Sequence, residues 1–228
     1  VTSRYTRRGE SEYGAIASYI HQITAARKGN YLVFFPSHSF LEQVGEIYED
    51  RFYDPVQTEL IVQETYMSET AREAFLERFT AGTDVDITKV IHMDMEVVDN
   101  HSLIGFCVMG GIFSEGIDLK NDSLIGVIVV GTGIPQVCSE REILKAYFDE
   151  SGENGFDYAY RYPGMNKVLQ AAGRVIRTET DTGIVALLDE RFLQSGYNQL
   201  FPREWQEFLQ ITTDTVNNKI KSFWKRWN

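Results

Sequence analysis

The sequence predicts an α/β domain, a doubly wound and mainly parallel sheet with helices on both faces. Three observations predict it. Five short runs are apolar almost without interruption, which suits strands buried on both faces rather than the alternation of a half-exposed sheet. Amphipathic stretches of helical period lie between and around these runs. At 228 residues, with 43% apolar and 24% charged residues, the chain has the length and composition of one domain with a full core.

The elements follow in order. Residues 12–27 read as a helix and YLVFF at 31–35 as the first strand. Residues 39–51 read as the next helix, with Ser39 and Glu42 spaced as a capping box. The strand ELIV (59–62) and a helix over 68–79 come next. The run KVIHMDMEVV at 89–98 reads as an extra strand or hairpin inserted before the strand LIGFCVM (103–109). The strand LIGVIVV (124–130) precedes a helix over 139–148, where Ser139 and Glu142 repeat the capping-box spacing. A helix over 165–176 and the strand GIVALLD (183–189) complete the pattern. The tail, 202–228, reads as a helical extension of the same domain, packed through Trp205, Phe208, Leu209, Ile220, Phe223, Trp224 and Trp227.

The net charge of −11 argues against a generic nucleic-acid coat, though not against a local groove. The basic runs RYTRR and KIKSFWKRWN read as solvated faces. Cys107 and Cys138 match no metal spacing, and no metal ligand set is expected. Cys107 lies in an apolar run and reads as a buried structural thiol. Reduced cysteines, the lack of an apolar run of membrane-spanning length and the lack of a secretory signal at Val1 lead to the expectation of a cytoplasmic protein with no membrane partner.

Open parallel sheets bind ligands beyond the carboxyl ends of their strands. Three unusual loops fall there: PSHS (36–39), GGIFSEGIDLK (110–120) and GTGIP (131–135). Ser114, Glu115 and Asp118 place a hydroxyl and carboxylates in a loop whose glycines allow close backbone approach. The stretch QAAGRVIR sets Gln170, Arg174 and Arg177 on one face of a predicted helix. Arginine suits phosphate, because its planar fork aims two donors and its charge does not titrate. The other reading of these residues is a structural cluster in which Arg174 and Arg177 pair with Glu179, Asp181 or Glu190.

Three of these stretches, in this order, resemble helicase motifs. NYLVFFPSHSFLEQV resembles motif IV, GGIFSEGIDL motif V, and QAAGRVIR the QxxGRxxR of motif VI in superfamily 2 helicases. The continuation TETDTGIVALLDERF resembles the XPD/DinG type of DNA helicase in particular. The likeness runs from about residue 30 to 195. It implies the second RecA-like domain of an ATP-dependent helicase, a three-layer fold, and 5′-to-3′ movement on single-stranded DNA. In that family Gln170 and Arg174 would face the nucleotide and the interdomain cleft, with Arg177 as arginine finger on the γ-phosphate. Gly116 and Asp118 would contact the nucleotide, Asp118 through the ribose, and Glu115 would couple ATP to motif VI. Ser37, with Ser39, would bind the DNA backbone; Ser114 and Thr132 are further candidates on the DNA side.

No GxxxxGK[ST] phosphate loop occurs in the chain. The resemblance therefore implies that ATP and its Mg²⁺ are held by a first motor domain outside it, the partner in the same protein, and that the start near Val1 follows that domain. An iron–sulphur cluster, present in some relatives, would also belong there, and the 228 residues alone are expected to be catalytically inactive. LLDE (187–190) looks like a Walker B strand end but, following motif VI, reads as a plain strand terminus. Two alternatives stay open at this point. One is a non-catalytic RecA-like interaction or regulatory module; the other is a dinucleotide or methyl-donor enzyme suggested by the GTG of GTGIP.

Overall fold

The structure is a computed structural model that describes residues 1–80, 101–111, 113, 124–176 and 181–227. Its strands are β1 (Asn30–Phe35), β2 (Thr58–Val62), β3 (Ser102–Val108), β4 (Gly126–Val130) and β5 (Ile184–Leu188). They form one sheet in the order β2-β3-β1-β4-β5, and every pairing is parallel. The five apolar runs are thus the five strands, to within two residues at each end. Because all five point the same way, all five carboxyl ends share one edge.

The helices are α1 (Glu10–Ala25), α2 (His38–Arg51), α3 (Glu69–Thr80), α4 (Ser139–Glu150), α5 (Tyr162–Ala172), the single turn α6 (Ser195–Asn198) and α7 (Val216–Trp224). Successive strand residues point to opposite faces, and β1 shows the consequence. Tyr31, Val33 and Phe35 join one core with Ile16 and Ile20 of α1, Val44 of α2 and Ile220 and Trp224 of α7. Leu32 and Phe34 join a second core with Phe75 and Phe79 of α3 and Met165 and Val168 of α5. The result is the three-layer α/β arrangement expected. Each large side chain fully buried in it contributes about 1.5–3 kcal/mol relative to exposure.

Several local expectations are corrected. The cap of α2 is Ser37, whose hydroxyl accepts from the Phe40 amide at 3.3 Å, while Ser39 lies in the first turn, exposed. α4 starts at Ser139, and Glu142 accepts from the Tyr160 hydroxyl at 2.5 Å instead of reaching back to the helix start. The helix expected over 165–176 begins earlier, at Tyr162, and ends at Ala172; Gly173 caps it, and Arg174 and Val175 continue as a turn. In the tail Ile220 and Trp224 are core, but Phe208, Leu209 and Trp227 are 46%, 67% and 62% exposed. Residues 206–215 are not helical, so the aromatic stripe is broken before α7. The expected element at 89–98 lies outside the described residues.

Candidate functional site

The shared carboxyl edge is assembled by the ends of the strands. Gln63 directly follows β2; its side chain accepts from the Val108 amide at 2.8 Å and its own amide donates to the Phe106 carbonyl. That pair of bonds fixes the exit of β3, where the chain enters the loop read as motif V. The described stem of this loop, Met109–Gly111, turns at Gly110 with φ +69. Lys167 of α5 reaches this turn, its Cε 2.9 Å from where a Cβ on Gly110 would stand. The stem of motif V and the helix that leads into motif VI are therefore neighbours.

Pro36 and Ser37 directly follow β1, and the Gly131–Gly133 loop directly follows β4. Ser37 is half-buried and already engaged as the α2 cap. Thr132 is 1% exposed, and its hydroxyl has no hydrogen-bond partner among the described residues. As a nucleic-acid contact it would need its loop to shift. The loop lies against Gly164 in the first turn of α5. Gln170 is exposed on the last turn of α5, and Arg174 is half-buried in the turn beyond it. The single helical face expected for the motif VI residues therefore ends before Arg174, because Gly173 closes the helix. Arg177, Ser114, Glu115, Gly116 and Asp118 lie outside the described residues.

The sequence reading missed Asp189, which it took as a plain strand end. It does terminate β5, but its carboxylate is buried against Arg191, with their atoms 2.8 Å apart, and against Ser3. Burial would raise its pKa; the hydrogen bonds and charge of Arg191 and the amides of Arg191 and Ser3 outweigh that and hold the carboxyl below its usual range. The signal was the D-x-R spacing directly after an apolar strand. Of the other carboxylates near motif VI, Glu190 pairs with Arg4 at 3.5 Å. Among the described residues no cluster of three or more His, Cys, Asp or Glu side chains could hold a metal ion.

A parallel three-layer sheet with the stems of motifs IV, V and VI on its carboxyl edge has the RecA-like arrangement expected. The model of the helicase C-terminal domain matches residues 20–208. The chain belongs to that family. It is 28% identical over 213 residues to regulator of telomere elongation helicase 1 from Bos taurus, covering 89% of this chain and 16% of that protein. It is 29% identical over 201 residues to the ATP-dependent DNA helicase XPD of Sulfolobus acidocaldarius, covering 84% of this chain and 30% of that one. A solved apo XPD superposes with a TM-score of 0.64 at 24% identity, over 87% of this chain and 36% of the other, a likeness of fold. The chain thus spans less than a third of the length of these two relatives.

Proposed function

We propose that this chain is the C-terminal motor domain of an ATP-dependent DNA helicase that moves 5′ to 3′. The observation that carries the reading is the convergence, on one sheet edge, of Ser37, the motif V stem at Gly110 and the helix that leads into Gln170 and Arg174. Its partners are single-stranded DNA and a first motor domain of the same protein, which holds ATP and Mg²⁺.

In this reading Arg177 is the arginine finger, and Gln170 and Arg174 line the cleft beside it. An arginine placed where charge grows on a transferring γ-phosphoryl group stabilises the transition state, worth about 10³–10⁵ in rate. Glu115, Gly116 and Asp118 serve the nucleotide side of the same edge. Ser37, Ser39 and Ser114 form part of the single-strand track, which Thr132 joins when its loop shifts. Closing the cleft on ATP and opening it after hydrolysis shifts the grip on DNA.

The acidic balance of the chain fits a track made of hydroxyls and backbone amides with few cations. A fluorescence titration with a twenty-nucleotide oligothymidine tests this. The expected result is weak binding that falls as salt rises from about 50 to 200 mM. Tight binding that ignores salt would place the DNA surface elsewhere.

A further inference from the structure

We propose that Asp189 and Arg191 are positioning residues that clasp residues 1–3 across the carboxyl ends of β5, β4 and β1, and so hold the loop edge carrying Ser37 and Thr132. What that edge binds rests on the function proposed above; the clasp itself does not.

The contacts are dense and join chain positions far apart. Asp189 Oδ2 accepts from the Ser3 amide at 2.8 Å, from the Ser3 hydroxyl at 2.9 Å and from Arg191 Nη2 at 2.8 Å. Its Oδ1 accepts from the Arg191 amide at 3.0 Å and from Arg191 Nε at 2.8 Å. Arg191 Nη2 also donates to the Ser3 hydroxyl at 2.6 Å. The Asp189 side chain is 0% exposed and that of Arg191 15%. The strap is tied on both sides of this point. The Glu190 amide donates to the Val1 carbonyl at 2.8 Å, Thr2 donates to Glu12 at 2.6 Å, and Arg8 Nε donates to the Ser3 carbonyl at 3.3 Å.

Ser3 in turn reaches the loops. A Cβ on Gly131, which has φ +82, would stand 2.5 Å from the Ser3 hydroxyl oxygen and 3.8 Å from Pro36 Cβ. Ser3 therefore packs directly on Gly131 of the loop that carries Thr132, and Gly131 in turn lies beside Pro36, the neighbour of Ser37. A strand end needs no buried carboxylate to fold, and a buried charge is costly unless it is paired and hydrogen-bonded. Here its partners are the strap and the arginine that grips it, so the pair specifies where the strap lies. Removing the fork releases the strap and takes Ser3 away from Gly131, the point through which the strap reaches both loops.

The experiment is amide hydrogen exchange on the 228-residue chain, comparing the wild type with Arg191→Lys and Ser3→Ala. Lysine keeps the charge but cannot make the two-pronged contact; the serine variant is the milder change should the first fold poorly. We expect the Ser3, Glu190, Gly131 and Thr132 amides to lose about tenfold in protection, with Phe34 and Val129 unchanged. Affinity for the oligothymidine is expected to fall about threefold or more through loss of loop order, with an unchanged salt slope. Unchanged protection of Ser3 and Glu190 in both variants would overturn the clasp. Released Ser3 with unaltered Gly131 and Thr132 amides, or with unaltered DNA affinity, would overturn the positioning role. A wild type that binds no oligothymidine would count against the proposed function alone, and the Gly131 and Thr132 amides would then decide the positioning role.

Discussion

Gly133 and Gly164 meet backbone to backbone. A Cβ on Gly133 would stand 2.6 Å from the Gly164 carbonyl oxygen, and one on Gly164 would stand 2.6 Å from the Thr132 carbonyl oxygen. Gly133 also has φ +65, a left-handed conformation that side chains disfavour. The loop after β4 is thereby pressed onto the helix that leads into motif VI. Both glycines are needed for that approach.

This contact predicts the sign of one substitution. Alanine for glycine within a helix normally stabilises by about 0.5–1 kcal/mol. Gly164→Ala is expected to do the reverse, costing about 1–3 kcal/mol through overpacking against backbone that has nowhere to go. Urea denaturation of the two proteins measures it. A stabilised variant would show that the loop moves away from α5 freely.

The two serines of PSHS are expected to separate. Ser37→Ala removes the α2 cap and costs about 0.5–2 kcal/mol. Ser39→Ala, in an exposed first turn, stays within about 0.5 kcal/mol of the wild type. Thermal denaturation gives both values. Equal losses would mean that the cap is shared between them.

The clasp predicts a pH window. The Asp189 carboxyl has its folded pKa depressed, because the Arg191 and Ser3 contacts outweigh the effect of burial. A group depressed in the folded state contributes stability above its unfolded pKa, about 3.9 for aspartate, and loses it as pH falls through the lower folded value. Ser3 amide protection, corrected for intrinsic exchange, is therefore expected to be level from neutral pH down to about 4 and to fall below that. A loss of protection centred above about pH 5 would contradict the assignment.

Much of this fold was legible because its physics is local. Strands buried on both faces must be apolar along their length, so YLVFF, LIGFCVM and LIGVIVV could be read directly. Strand order could not, since it depends on which crossovers pack, and β1 lies at the centre although it comes first. Helix ends were read less well. Ser37 and Ser39 are both plausible caps, and which one serves depends on where β1 lets go of the sheet. The motif VI residues were found by their spacing, yet Gly173 ends the helix ahead of Arg174. Asp189 was passed over because its partner Ser3 is 186 positions away, a relationship that no local pattern contains.

In the proposed function this domain supplies Arg177 to a nucleotide held by another domain. The direct measurement is DNA-stimulated ATP hydrolysis by these residues joined to the proposed first motor domain, beside Arg177→Ala in the same protein and the 228 residues alone. The 228 residues alone are expected to show no turnover. A fall of about 10³-fold or more is expected in Arg177→Ala, with ATP still bound. A variant that hydrolyses ATP within about threefold of the parent would leave the arginine without its anion, and a protein with no ATP hydrolysis at all would make this domain an interaction module.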